Sequence, residues 1–314
     1  MALRSAGTLL MLVIAIVTMA GIARSAETDA LVQPRLIVWG YSDGASFRQP
    51  CGIAFDPTDG AIVVANKGDG RIETLSRTGR PLSRFVHRVL RADGSMVDGS
   101  PCALAFDRSG RLLVVDQRAT YVDVLDRRGR PVTRLDIPAG HANAITVGVD
   151  GTIWVGTAAE ESRVYRFRRD YTPDGYWGEE GSAPGRLFNV TGLAVLADST
   201  VAVACARTDQ VIQIFTPAGG YLRGFGVHDV GNGNFSLPSG LVATADGRLW
   251  ALDEIRQTLQ VFDKDGNLLG TTGGRGAAPG EFAHPSSLAT DGLGLIALTD
   301  REIGRVQVFA VSRQ

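Results

Sequence analysis

Cysteine is scarce in this 314-residue chain, with three residues in all, so no disulfide framework carries the fold and a packed core must. Net charge is almost absent too, at −1, which removes the strong basic excess that nucleic-acid binding requires. Histidine occurs only four times. No Gly-x-Ser-x-Gly, His-Glu-x-x-His, Cys-x-x-Cys or phosphate-cradling motif occurs, so the familiar hydrolase, zincin, redox and nucleotide-binding signatures find no support. Long apolar runs are confined to Leu9–Ile22, which follows Arg4 and leads directly into Ala23-Arg24-Ser25-Ala26. A run short for a bilayer and closed by small residues predicts a signal peptide over residues 1–25, hence a periplasmic or secreted protein with no membrane span after its removal. Losing Arg4 and Arg24 takes the net charge to −3. A short extension over 26–33 then precedes a single domain over 34–314.

What the chain does have is one strand pattern repeated six times. Short segments of alternating apolar residues come in pairs: AIVVAN with RIETL, RLLVVD with YVDVL, TIWVGT with RVYRF, TVAVAC with VIQIF, RLWALD with TLQVF, and GLIALT with RVQVF. Alternation of period two, turn residues such as Asp59-Gly60 and Asp246-Gly247, and a spacing of about forty to fifty residues predict four-stranded propeller blades. Each pair follows an inner-strand segment: CGIAF from Cys51, CALAF from Cys102, NAITV from Asn143, TGLAV from Thr191, SGLVA from Ser239 and SSLAT from Ser286. The sixth unit lacks an outer strand, while an orphan strand, Arg35 to Trp39, precedes the first. The fold class is therefore all-β, a six-bladed β-propeller whose ring closes when the N-terminal strand completes the C-terminal blade.

The lead-ins GNGNFSLPSG, APGEFAHPSS and APGRLFNVTG, with the strands that follow them, resemble the NHL repeat family over nearly all of residues 34–310. That family's consensus runs Gly-x-Phe, Pro-x-Gly-Ile-Ala-Val, an Asp-Gly turn, a strand ending near Asp, then Arg-Ile-Gln-Val-Phe. The resemblance implies a propeller and leaves the activity open.

Inner-strand starts and the loops joining second to third strands surround one mouth of a propeller channel. Cys51, Cys102, Asn143, Thr191, Ser239 and Ser286 fall at equivalent positions, a ring of small groups that reads either as a water-filled channel lip where six strands converge or as the floor of a ligand pocket. Just ahead of them stand His141 and His284, in blades that face each other across the axis, while His87 and His228 fall in loops leaving outer strands. The leading function is a non-catalytic exported binding or scaffold module. It would use the charged loop rim, take a protein, peptide or glycan ligand, need no cofactor, bind no nucleic acid and act as a monomer. The alternative is a metal-dependent channel-site enzyme resembling the peptidyl-hydroxyglycine amidating lyases or the calcium-dependent lactonases. Zn would then fall to His141 and His284, and Ca to oxygen donors such as Asp116 and Asp253, with Asn66, Asn143 and Asp300 near them. Arg77, Arg80, Arg127, Arg128, Arg130, Arg168 and Arg169 form an expected basic patch on the opposite face. Cys51 and Cys102 are expected as free thiols, because inner strands on the order of 8–10 Å apart exceed disulfide reach.

Overall fold

The computed structural model describes residues 31–40, 46–158 and 161–312, so the predicted signal peptide lies outside the described residues. The alternating segments form strands throughout, and these residues contain no helix. They assemble into six four-stranded antiparallel sheets. Blade 1 comprises Pro50–Phe55, Ile62–Asn66, Arg71–Leu75 and Pro81–Val86, and blade 2 Pro101–Phe106, Leu112–Asp116, Tyr121–Leu125 and Pro131–Asp136. Blade 3 comprises His141–Val147, Ile153–Ala158, Val164–Phe167 and Pro173–Trp177, and blade 4 Val190–Val195, Val201–Cys205, Ile212–Phe215 and Tyr221–Phe225. Blade 5 comprises Pro238–Ala243, Leu249–Asp253, Thr258–Phe262 and Leu268–Gly273. Blade 6 takes Pro285–Thr290, Leu295–Asp300 and Arg305–Val311 from the C-terminal part, with Val32–Val38 paired antiparallel outside Arg305–Val311. That outer strand starts at Val32 and stops before Trp39, so it lies further toward the N-terminus than the apolar pattern Arg35–Trp39 suggested.

First strands of successive blades touch in a closed ring, from blade 1 through blade 6 and back. The apolar core divides the same way into one cluster at each blade junction, such as Ile53, Val64 and Val308 between blades 1 and 6 or Ile214, Leu241 and Phe262 between blades 4 and 5. Inner strands approach so closely that a Cβ at Gly52 would stand 3.3 Å from Ala103 Cα, and one at Gly192 2.9 Å from Leu241 Cβ. The separation expected from sequence is therefore too large. Glycine at these positions lets the strands converge and the channel stay narrow.

In blades 4, 5 and 6 a side chain in the middle of the third strand braces the loop that enters its own blade. Gln213 Nε2 donates to Arg186 O at 2.7 Å while its Oε1 accepts from Gly185 N at 2.7 Å; Gln260 does the same to Asn234 O and Gly233 N, and Gln307 to Glu281 O and Gly280 N. All three amides are fully buried. In blade 2 the matching residue is Asp123, and its partner is His87, which is buried rather than placed at the mouth. His87 Nδ1 lies 2.9 Å from Asp116 Oδ2 and Nε2 lies 3.0 Å from Asp123 Oδ2. This imidazole anchors a small extra hairpin, Arg88–Leu90 with Met96–Asp98, that the repeat pattern does not contain.

The last residue of the second strand is also structural in blades 2, 5 and 6. Asp253 accepts from the amides of Ser236 (2.6 Å), Leu237 (3.2 Å), Ile255 (3.1 Å) and Arg256 (2.9 Å), and Asp300 from those of Ala283 and His284 at 2.9 Å each. Blade 1 has Asn66 there, with neither amide atom hydrogen-bonded although the side chain is fully buried. Its neighbour Gln49 adopts φ +50, a left-handed conformation costly outside glycine. Replacing Asn66 with Asp is expected to exchange the unpaired amide donor for a second acceptor oxygen facing the loop amides and raise stability by about 1 kcal/mol, read as an increase in the thermal midpoint; a fall would show that blade 1 does not use the cap of blades 5 and 6.

Candidate functional site: the mouth of the central channel

Each inner strand carries one register shift at the same place, between Pro50 and Gly52, Pro101 and Ala103, Ala142 and Ala144, Val190 and Gly192, Pro238 and Gly240, and Pro285 and Ser287. The skipped residues are Cys51, Cys102, Asn143, Thr191, Ser239 and Ser286, the six that sequence alignment superimposed. A bulge turns a side chain out of the pleat, and here it turns all six to the wall of a cavity of about 280 Å³ on the axis.

Their polar atoms hold the ring together. Cys51 Sγ donates to Pro101 O (3.2 Å), Asn143 Nδ2 to Val190 O (2.8 Å), Ser239 Oγ to Pro285 O (3.3 Å) and Ser286 Oγ to Pro50 O (2.8 Å), each crossing to the next blade. Thr191 and Cys102 bond within their own blades, to Ala204 O and more weakly to Val115 O. The cavity wall is thus rigid, with most of its donors already engaged. All three cysteines carry free thiols. Burial pushes the Cys51 and Cys205 thiols up to about 12, with Cys102 also raised chiefly by burial, so none is a ready nucleophile near neutral pH.

Second-to-third-strand loops supply the rim: Lys67 from blade 1, Gln117 from blade 2, Glu254 from blade 5 and Arg301 from blade 6, with Asn189 at the start of blade 4. Arg301 Nη2 donates to Glu254 Oε1 at 2.5 Å and lies 2.9 Å from His284 Nε2, while His284 Nδ1 lies 3.0 Å from the same carboxylate oxygen. Asn189 holds φ +56, a strained backbone at the lip.

The predicted histidine pair is not assembled at this cavity. His141 is exposed at the head of blade 3, His284 is engaged by Glu254 and Arg301, and neither lines the wall. His228 is exposed beside Phe235. The calcium candidates fare no better as a set, because Asp116, Asp253 and Asp300 direct their oxygens to backbone amides, Asp116 to Ser100 N (2.6 Å) and Arg118 N (2.8 Å). Among the described residues no group of three His, Cys, Asp or Glu side chains is placed to hold a metal ion. The donor set does not fit a Zn or Ca centre. On the opposite face part of the basic patch is neutralised: Arg127 pairs with Asp56 and Asp59 across the blade 1–2 junction at 2.7 Å, Arg130 with Asp126 at 2.7 Å, and Arg168 with Asp174 at 2.8 Å.

Solved structures that resemble this ring are enzymes in several cases. A gluconolactonase from Xanthomonas campestris superimposes with a TM-score of 0.63 at 18% identity, over 85% of this chain and 88% of that one. Virginiamycin B lyase from Staphylococcus aureus gives 0.57 at 14%, over 84% and 95%. A Bacteroides thetaiotaomicron protein of unknown function gives 0.62 at 17%, over 86% and 71%. The likeness is one of fold. No protein-family model matches the sequence, and no curated protein matches it.

Proposed function

We propose that this chain is an exported, non-catalytic binding module that takes a small polar ligand, or the polar end of a peptide or glycan, into the mouth of its central channel. One observation carries the reading: a cavity of about 280 Å³ with a pre-stapled wall of small residues and a rim where cationic, amide and carboxylate groups converge. A rigid wall needs little ordering on binding, so contacts made there translate well into affinity. Repeats of NHL type and delivery by the N-terminal leader are part of the same proposal. A second reading, catalysis in the mouth, draws on the His284–Glu254 contact at 3.0 Å and on the lactonase and lyase among similar folds.

Calorimetry with a panel of sugars, hydroxy acids and short peptides tests the binding reading against a Cys102→Phe variant. Cys102 makes the weakest wall contact, 3.6 Å, so phenylalanine there fills the channel at least cost to the ring. The expected result is that ligands bound by the wild type lose affinity in a variant of unchanged fold. Retention of every affinity would overturn the proposal, and turnover of a lactone that His284→Gln abolishes would favour catalysis.

A further inference from the structure

The charge around the mouth is unevenly spent. Among the loops joining second to third strands, Arg118 donates to Asp98 O, Arg256 to Gly231 O and Asn234 O, Arg207 lies over the Phe188 ring, and Arg301 is held by Glu254. Lys67 is different. It lines the cavity, it is half-buried, and among the described residues no carboxylate lies within ion-pair distance of its ammonium. Three charged side chains line the cavity, Lys67, Arg301 and Glu254, and the last two neutralise each other. The mouth is left with one uncompensated positive charge, placed where low-dielectric walls strengthen it.

Resting on the channel-mouth reading, we infer that the ligand is a monoanion, a hydroxy-carboxylate whose carboxylate is seated by Lys67 and whose hydroxyls meet the amides of Gln117 and Asn189. At the Cys51 thiol the charges of Lys67 and then Arg301 act in favour of an anion and that of Asp116 against it, while burial outweighs them all and raises the thiol, so the place for a carboxylate is the rim beside Lys67 and not the buried floor. A single ammonium matches a carboxylate; a dianion such as a phosphate monoester would leave charge unmatched in a narrow site. The bulge ring adds selectivity, because Cys51, Asn143, Ser239 and Ser286 have already given their donors to neighbouring carbonyls. Lys67 therefore supplies the strongest hydrogen-bond donor still unengaged at the wall.

Gluconate and its neutral analogue glucitol, titrated calorimetrically into the wild type, Lys67→Met, Lys67→Arg and Cys102→Phe, test this. Gluconate is expected to bind the wild type at least about tenfold more tightly than glucitol, to lose that advantage in Lys67→Met and to recover most of it in Lys67→Arg. Affinity should also fall with added salt. Equal binding of the two probes, indifference to Lys67→Met or the absence of gluconate binding overturns the monoanion inference. If glucitol still binds and Cys102→Phe removes it, the channel-mouth reading survives that failure; if both probes bind and neither responds to Cys102→Phe, the channel-mouth reading itself falls. Thermal unfolding of each variant confirms that an affinity change is not loss of fold.

Discussion

Replacing His87 with glutamine is expected to lower stability at pH 7 by about 3–5 kcal/mol and to remove most of the protein's sensitivity to mild alkali. His87 sits in a nearly dry pocket between two buried carboxylates, Asp116 and Asp123, the second also bound by Arg134 Nε at 3.1 Å. Burial is the largest single influence on the ring and works against its charge. Hydrogen bonds to Asp116 and Asp123, with the charges of both, more than offset it and raise the pKa from 6.5 to about 9. A group whose folded pKa lies above its unfolded value stabilises the fold fully below the unfolded value and loses that contribution as pH rises through the folded one. Wild-type stability from this group should therefore decline between about pH 6.5 and 9, a loss on the order of 3 kcal/mol. Urea unfolding across that range reads it directly: the wild type slopes downward and the glutamine variant stays nearly flat. Parallel curves would mean that the imidazolium is not what holds the hairpin Arg88–Asp98 against blade 2.

Asp253→Asn is the second large effect, expected at about 3 kcal/mol of destabilisation. One buried carboxylate accepts four backbone amides there, two ahead of the blade 5 inner strand and two in the loop after its own strand. An asparagine amide turns an N–H toward donors and leaves buried groups unmatched. The loss should be the same in a chelator as in millimolar calcium, because the role is that of a cap. A midpoint that rises with calcium in the wild type and not in the variant would restore Asp253 as a ligand.

Sequence periodicity reached the ring, the blade count and the six wall positions because those features are local: alternation, Asp-Gly turns and a repeated Pro-x-Gly each report on a few adjacent residues. The chemistry was harder to read. An acidic residue at a strand end looks the same whether it coordinates an ion or gathers amides, and only the paths of the loops before Pro238 and Pro285 decide between them. The role of His87, which does follow an outer strand, was illegible for a related reason, since its partners stand 29 and 36 residues away and the hairpin that follows it interrupts the repeat. The Gln213, Gln260 and Gln307 braces did leave a signal, a polar residue inside an otherwise apolar third strand, three times in register and three times buried. Lys67 left none, because its distinction is the lack, among the described residues, of a partner its counterparts possess.

Pairing Val32–Val38 with Arg305–Val311 also fixes the order in which the molecule can form. Five blades are contiguous in sequence and can assemble as they are delivered, but the sixth joins segments separated by almost the whole chain, a contact with a large loop-closure cost. Until blade 6 begins to be delivered, blades 1 and 5 each expose an unpaired flank, and the Ser286–Pro50 staple cannot form. A partly delivered chain is therefore an open arc with a sticky edge at each end, and protection against self-association is needed most in the interval before residues 285–311 arrive.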